Sequence, residues 1–303
     1  PPGRPLTPQE RAQMGQIIKR LEQDLTLYQP LLSGLKGQAA GLAEALKDAE
    51  PRVIEVAANT LEALGEARRR LRGLLDSVPV AGKEGVPDKG DEDPLGPILR
   101  KGVPALAAQV GHPNVRSRLA CLYALEAAGA DAAPAAQAVI KALKDENAFV
   151  RWAAVRALGR MAPLKGAQAD AANAVTGLAR CLKDDNADVR GTAFVALSRY
   201  GPAAKPAVAA LAEIVKASSG DTVPAIRTLE AIGPEAKVAI PALMAALEAK
   251  SPQVRAAAAR LLGKLGPDAV QAAAALTRVL GDPNVEVRQA AAEALLAVTP
   301  AEK

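Results

Sequence analysis

Apolar residues recur along most of the chain at the spacing expected of amphipathic helices. One stripe, in which members lie three or four residues apart, consists of Val150, Ala153, Ala154, Ala157 and Leu158. This pattern predicts a first helix over residues 149–161. A second apolar stretch, in which two leucines lie one helical turn apart, predicts another helix over residues 168–182.

The same arrangement repeats along the sequence. A polar turn ends in Val-Arg or an equivalent pair, an apolar helix follows, and a glycine-proline pair such as Gly201-Pro202 marks the break before the next helix. Glycine suits the position just past a helix end, and proline suits the first turn of the next helix. The arginine recurs in five repeats, and a threonine takes its place in a sixth. Successive positions are 33, 39, 32, 33 and 33 residues apart, and they are Arg118, Arg151, Arg190, Thr222, Arg255 and Arg288. A period this regular predicts an array of helical repeats.

The composition supports an all-helical chain. Half of the 303 residues are hydrophobic but only 2% are aromatic, so the packing must depend on alanine, leucine and valine, and alanine is the best helix former. The net charge of +5 is unevenly spread, because residues 1–93 contain 13 basic and 15 acidic residues whereas the remainder contains 25 and 18. A basic second part favours an acidic partner without requiring one.

Three features together resemble the HEAT-repeat family, in particular its short bacterial form, which is related to the repeats of phycobilisome lyases. They are the Asp-x-Asn-x-x-Val-Arg turn, the alanine-rich helix with Ala157-Leu158-Gly159, and the glycine-proline break. The resemblance covers residues 95–303 and implies an all-α α-solenoid of about six repeats. Each repeat would be an antiparallel pair of helices, A and B, and the pairs would stack into a right-handed superhelix.

The resemblance also implies a role for the recurring charges. In HEAT proteins such residues form a ladder between neighbouring repeats, and here the ladder would consist of Arg118, Asp145, Arg151, Asp184, Arg190, Arg255, Asp282 and Arg288. The sequence departs from this pattern at His112, at Ala249 and around Thr222, where no acidic residue stands six positions earlier. Weaker cohesion is therefore expected around Thr222.

Both ends of the chain depart from the regular repeat. Residues 1–76 are predicted to be helical, over 7–28, 30–48 and 51–76, and to act as a cap with a degenerate repeat in which Ile54 replaces the arginine. Residues 77–94 contain proline, glycine and many charges, which predicts a flexible linker. The array ends on a single helix, residues 287–298, and this end could stack on another molecule.

The sequence offers little for catalysis. Its single histidine, His112, occupies a turn, and Cys121 and Cys181 align with core positions, so neither a multi-histidine metal site nor a Cys-His nucleophile is indicated. We predict no catalytic residue, no metal and no cofactor. Resemblance to HEAT-like DNA glycosylases, through Trp152 and Tyr123, or to bilin lyases is a less favoured alternative. No apolar run is long enough to span a membrane, which fits a soluble protein, either cytoplasmic or exported after loss of a targeting segment.

Two clusters of cations are candidate binding surfaces. Alignment of the B helices places one basic ridge on the face that is concave in HEAT solenoids, and the ridge consists of Lys141, Lys144, Arg180, Lys183 and Lys216. The second cluster is Arg68, Arg69 and Arg70 on the long N-terminal helix. The ridge predicts a scaffold that binds an acidic or helical protein, with nucleic acid as the alternative partner. Ordinary charges at helix C-termini, or on a solvated helix face, would explain the same residues without a partner.

Overall fold

The structure, a computed structural model, describes residues 38–77, 95–162 and 168–299. Within these ranges every regular element is helical, and the chain forms two compact units. The first unit extends to Ala135 and the second begins at Ala136. The linker predicted at 77–94 lies almost entirely outside the described residues, as do the predicted helix over 7–28 and the start of the helix over 30–48.

The first unit is built around a long helix. Residues 38–45 are helical and are followed by α1 (Pro51–Ser77), α2 (Gly96–Gln109) and α3 (Val115–Ala128), after which a 3-10 segment occupies Gly129–Ala135. Helix α1 packs against α3, as the two A helices of neighbouring repeats would. Its predicted bounds of 51–76 are correct to within one residue.

The second unit contains regular helix pairs. Their bounds are α4 (Ala136–Ala142), α5 (Ala148–Met161), α6 (Gln168–Cys181), α7 (Ala187–Tyr200), α8 (Val208–Ala217), α9 (Thr222–Ile232), α10 (Ile240–Ala246), α11 (Pro252–Leu265), α12 (Ala273–Val279) and α13 (Val285–Val298). The A helices α5, α7, α9, α11 and α13 pack on one another in sequence, and the other helices are B helices. The architecture is an all-α solenoid, as predicted.

Local sequence signals set the ends of these helices. Asn147, Asn186 and Asn284 are N-caps whose side-chain oxygens each accept hydrogen bonds from two backbone N–H groups of the first turn. Gly201 and Gly266 follow helix ends with φ of 53° and 59°, a conformation that other residues rarely adopt. These caps explain why the turn motif recurs with so little variation.

The second half of several repeats differs from the prediction of one continuous helix. Seven-residue 3-10 segments, Gly201–Ala207, Gly233–Ala239 and Gly266–Ala272, precede α8, α10 and α12. Each buries two alanines three residues apart, for example Ala204 and Ala207. In a 3-10 helix residues three apart lie on the same edge, so this spacing points both alanines into the core.

Leucine and alanine fill the core of the repeats. The leucine seven residues after the arginine position is fully buried at Leu158, Leu197, Leu229 and Leu262, and the corresponding Leu295 of the last helix is only half-buried. Small residues let the A helices approach closely. A Cβ atom added to Gly263 of α11 would lie 2.8 Å from the Cα atom of Ala294 in α13.

We therefore expect Gly263→Ala to destabilise the protein by about 1–3 kcal/mol, because the backbone of α13 would have to shift. Gly191 is the matched control, since it lies in α7, is exposed and has no heavy atom within 4 Å of its added Cβ. Gly191→Ala should stabilise the helix by about 0.4–1 kcal/mol. Urea denaturation followed by circular dichroism measures the stability of both variants. If both substitutions change the stability in the same direction, the close approach of α11 and α13 does not determine the effect at Gly263.

Candidate functional site

The arginine of each A helix first binds its own turn. The Nη1 atom of Arg151 donates to the carbonyl oxygens of Asp145 and Glu146, at 2.9 and 3.1 Å. Equivalent pairs of bonds are made by Arg118 in the first unit and by Arg190, Arg255 and Arg288 in the second. The guanidinium thus satisfies two carbonyl groups that a turn leaves without helical partners.

The other edge of the guanidinium reaches the next repeat. Arg151 donates from Nε and Nη2 to the two carboxylate oxygens of Asp184, at 2.7 and 2.9 Å. Arg255 binds Asp282 in the same bidentate manner, at 2.6 and 2.8 Å. Both pairs are mostly buried, with side-chain exposures of 8–18%. Such fork-to-carboxylate bonds are among the stronger polar contacts in proteins because both partners are charged.

The ladder carboxylates also hold the turns in which they stand. The Oδ1 atoms of Asp145, Asp184 and Asp282 accept the backbone N–H two residues ahead, at 2.9 Å in each case. At the position where the sequence has histidine, His112 Nδ1 accepts the N–H of Asn114 at 3.1 Å. The turn is therefore kept although the carboxylate is lost.

The structure locates one ladder residue that the sequence pattern missed. Arg190 donates from Nε to Asp221 Oδ2 at 3.0 Å, and Asp221 lies immediately before Thr222 instead of six residues before it. The next link is absent on both sides, because Thr222 carries no guanidinium and Ala249 carries no carboxylate. Exposed pairs between Lys264 and Glu230 and between Lys237 and Asp268 connect these two repeats instead.

The five residues of the basic ridge all lie exposed on the B helices or just beyond their ends. Lys216 binds Glu213 at 2.8 Å, and Lys183 of the preceding repeat contributes to holding the pKa of Glu213 below its usual range. Lys216 and Glu213 are therefore paired, and Lys183 is near enough to Glu213 to act on its charge. Helices α4 and α6, which carry the other ridge cations, pack against each other, with Gln137 bonded to Asp170.

The second predicted cluster is divided by the structure. Arg68 is buried and forms an ion pair with Asp131, so the expectation that it faces a partner is wrong. Its burial follows from the packing of α1 on α3, which brings the two residues together. Arg69 and Arg70 are exposed and lie near Glu66, at 3.7 and 3.9 Å. Arg69 also donates from Nη1 to the carbonyl oxygen of Glu126, at 3.4 Å.

Both cysteines are core residues, as predicted. Burial raises the pKa of Cys121 to about 12 and that of Cys181 to about 11, which disfavours the nucleophilic thiolate. Trp152 is half-buried and its ring is covered by Arg156, whose Cζ lies 4.4 Å from the ring centroid. Among residues 38–77, 95–162 and 168–299, no three potential metal ligands form a group, and no helix is both long and apolar enough to cross a membrane.

The repeats match known families in two stretches. Residues 223–297 match the HEAT repeats family and residues 148–200 match the HEAT-like repeat family. This chain contains HEAT repeats. Repeats of this kind commonly mediate protein interaction, and solenoids built from them are typically non-catalytic.

Solved structures similar to this HEAT-repeat chain include designed proteins. An engineered protein is 19% identical, with 86% of this chain and 78% of that chain covered and a TM-score of 0.49. A designed armadillo repeat protein is 17% identical over 86% and 99% of the two chains, with a TM-score of 0.45. Another designed armadillo repeat protein, in complex with peptide (KR)4, is 15% identical over 86% and 98%, also with a TM-score of 0.45. No curated protein matches the chain by sequence.

The two classes of ion pair in this HEAT-repeat protein should differ in their effect on stability. Arg255→Met removes a bidentate, largely buried bond together with two bonds to its own turn, and it leaves Asp282 without its arginine, so we expect a loss of about 1.5–3 kcal/mol. Lys205→Met is the control, because it removes an exposed pair with Glu235 and should change stability much less. Equal shifts in the urea midpoint would contradict a special role for the arginine ladder.

Acid should weaken the ladder. Hydrogen bonds from Arg151 and Arg255 hold the pKa values of Asp184 and Asp282 below their usual range. Carboxylates with a depressed folded-state pKa contribute stability above the unfolded value, about 3.9, and lose that contribution as the pH falls through the lower folded value. Stability should thus decline below about pH 4 in the wild-type protein.

The double variant Asp184→Asn/Asp282→Asn should be less stable at neutral pH and should show a flatter decline in acid. Urea midpoints measured across the acid range test this, with Glu235→Gln in the exposed Lys205 pair as the control. A double variant with an undiminished acid decline would show that other carboxylates control acid unfolding.

Proposed function

We propose that the protein is a non-catalytic scaffold that binds an acidic protein partner on the face formed by its B helices. The observation that supports this most directly is the state of the ridge cations. Lys216 is neutralised by Glu213, but Lys141, Lys144, Arg180 and Lys183 have no carboxylate pair within the part of the chain that the structure describes. Exposed cations on successive helices create a positive potential that attracts acidic surfaces.

The ridge suits a protein better than a nucleic acid. Glu213 is bound by Lys216 and lies within electrostatic range of Lys183, so the ridge includes a negative charge, whereas a phosphate backbone presents a uniform negative charge that this carboxylate would repel. Further along, Arg278 is already paired with Glu248 at 3.3 Å. With only 2% aromatic residues, the chain also has few side chains for base stacking. A protein surface with acidic and basic positions would match this pattern.

The two cysteine thiols and the histidine are buried or hydrogen-bonded, which supports a binding role. Both thiols are buried with raised pKa values, and the imidazole of His112 is engaged in its turn. The largely buried ion pairs of the ladder connect neighbouring repeats. The B helices would therefore bind a ligand through their charge and shape, as a scaffold does.

A charge-reversal variant tests this function. Lys141→Glu/Arg180→Glu/Lys183→Glu should weaken binding to a labelled glutamate-rich helical peptide at least about tenfold, because three attractions become repulsions. The matched control is Arg116→Glu/Arg227→Glu/Arg260→Glu, which changes the net charge equally at exposed positions on A helices and should leave binding within about twofold. Fluorescence anisotropy measures both variants.

Duplex DNA of similar charge is the competing probe. Tighter binding of DNA than of the peptide, with a steep loss as salt is raised, would assign the ridge to nucleic acid. Equal binding of the peptide by both triple variants would overturn the role of the ridge.

A further inference from the structure

Neighbouring A helices of the second unit meet at a recurring position near the end of the first helix of each pair. In α5 and α7 the two residues are Gly159 and Ala196, and a Cβ atom added to the glycine would lie 3.1 Å from the Cβ atom of the alanine. In α11 and α13 they are Gly263 and Ala294, which are equally close. Small side chains at this position let the two helix backbones approach each other.

The junction between α9 and α11 lacks this close contact. Ser198 and Thr228 occupy the position in α7 and α9, and their hydroxyl oxygens are still only 3.3 Å apart. In α9 and α11 the equivalent residues are Glu230, which is exposed, and Leu261, which is buried. These larger side chains keep the two backbones from approaching as closely as glycine allows.

The arginine ladder is missing at the same junction. Thr222 stands at the arginine position of α9, and Ala249 stands at the aspartate position before α11. Thr222 is fully buried, and within residues 168–299 its hydroxyl group has no hydrogen-bond partner. The ladder residue lies near the start of an A helix and the small residue near its end. The contact between α9 and α11 therefore lacks its usual tie at both ends.

On the B-helix side of this junction the two repeats are separated by a cleft. Its volume is about 190 Å³, and it lies between the C-terminal ends of α10 and α12. Leu247 and Glu248 line it from one repeat, and Ala275, Arg278 and Val279 line it from the next. Close packing resists the relative motion of two elements, and a cleft between them removes that resistance.

The polar contacts that cross the junction are exposed ion pairs. Their side-chain exposures range from 39 to 72%, and the pairs are Lys264 with Glu230, Lys237 with Asp268 at 4.0 Å, and Arg278 with Glu248 at 3.3 Å. Among residues 168–299 no buried polar contact joins these two repeats. Exposed pairs contribute little to stability and are screened by salt.

We propose that the second unit bends at this junction, which acts as a hinge between residues 136–247 and residues 252–299. Helices α9 and α11 still pack on each other, and Leu229 and Leu262 are fully buried, so the apolar contact of the A helices is the pivot. The cleft between α10 and α12 opens and closes as the angle changes, and the exposed pairs break and form again. Motions of this kind shift packed helices without unfolding them.

The hinge does not rest on the proposed binding function, because it is a property of the chain without a partner. All five ridge cations lie within residues 136–247, so bending leaves the ridge intact. What changes is the orientation of the last B helix, α12, relative to the ridge. The B-helix face thereby adjusts to partners of different curvature.

Distances between spin labels, measured by double electron–electron resonance, test the hinge. Cys121 and Cys181 are first replaced by alanine, which other repeats have at these core positions. One label pair, at Ala209→Cys and Ala274→Cys, spans two repeats across the junction. The control pair, at Gln137→Cys and Ala209→Cys, spans two repeats on one side of it. All three labelled positions are exposed and equivalent on their B helices.

The distance distribution of the junction pair should be about twice as wide as that of the control pair. It should widen further when salt is raised from about 0.1 M to about 1 M, because the Debye length falls from about 10 Å to about 3 Å and screens the exposed pairs. The control pair should keep its width. Equal widths of the two distributions at both salt concentrations would overturn the hinge.

Removal of the exposed pairs tests what holds the junction. The variant Lys237→Ala/Glu248→Ala/Lys264→Ala should be as wide at low salt as the wild type is at high salt, and it should no longer respond to salt. Lys205→Ala is the matched control, because its pair with Glu235 does not cross the junction, and it should leave the distribution unchanged. An unchanged distribution in the triple variant would contradict the proposal.

Restoration of the missing ladder link gives the opposite test. Thr222→Arg/Ala249→Asp supplies both partners of a charged bidentate bond and should narrow the distribution of the junction pair towards that of the control pair. Because Thr222 is buried, circular dichroism and urea denaturation establish that this variant is folded. A folded variant with an undiminished width would show that the absent ladder link is not what frees the junction, and would overturn this account of the hinge.

Discussion

The stacking of repeats in the second unit depends on one side chain with two binding edges. The arginine near the start of an A helix closes its own turn through Nη1 and binds the next repeat through Nε and Nη2, as Arg151 does with Asp145 O and Asp184. Because the same planar group makes both sets of bonds, the position of the turn fixes the position of the neighbouring repeat. Lysine has one compact ammonium group and could not make both sets in this geometry.

The missing link of the arginine ladder shows how the repeats avoid leaving a buried charge without a partner. Thr222 and Ala249 lack the arginine and the carboxylate together, so neither charge is left buried without its partner, a situation that would cost several kcal/mol. Exposed pairs such as Lys264 with Glu230 take over between these repeats, and such pairs contribute about 0–1 kcal/mol each. Cohesion along the unit is therefore uneven, which is the usual condition of repeat arrays whose stability is a sum over neighbours.

Local sequence determines most of the fold, since helix stripes, asparagine caps and glycine-proline breaks all act within a few residues. The A helix predicted at 149–161 begins at Ala148 and ends at Met161 for this reason. Asp221 could not be predicted from column alignment, because the turn before α9 is built differently and brings the acid next to Thr222. The burial of Arg68 and its ion pair with Asp131, 63 residues away, follow from the packing of α1 on α3, and no local pattern reports such a contact.

The candidate binding face follows from how the repeats use their acidic residues. Several carboxylates of the second unit stand in the turns before A helices, where Asp184 and Asp282 are already bound to arginine and to backbone N–H groups. The C-terminal ends of the B helices attract cations through the helix dipole but receive few acids of their own. Under the proposed function, these ridge cations are the groups that a partner would contact. A partner supplying carboxylates to Arg180 and Lys183 would complete the neutralisation that the chain completes for itself between Arg151 and Asp184.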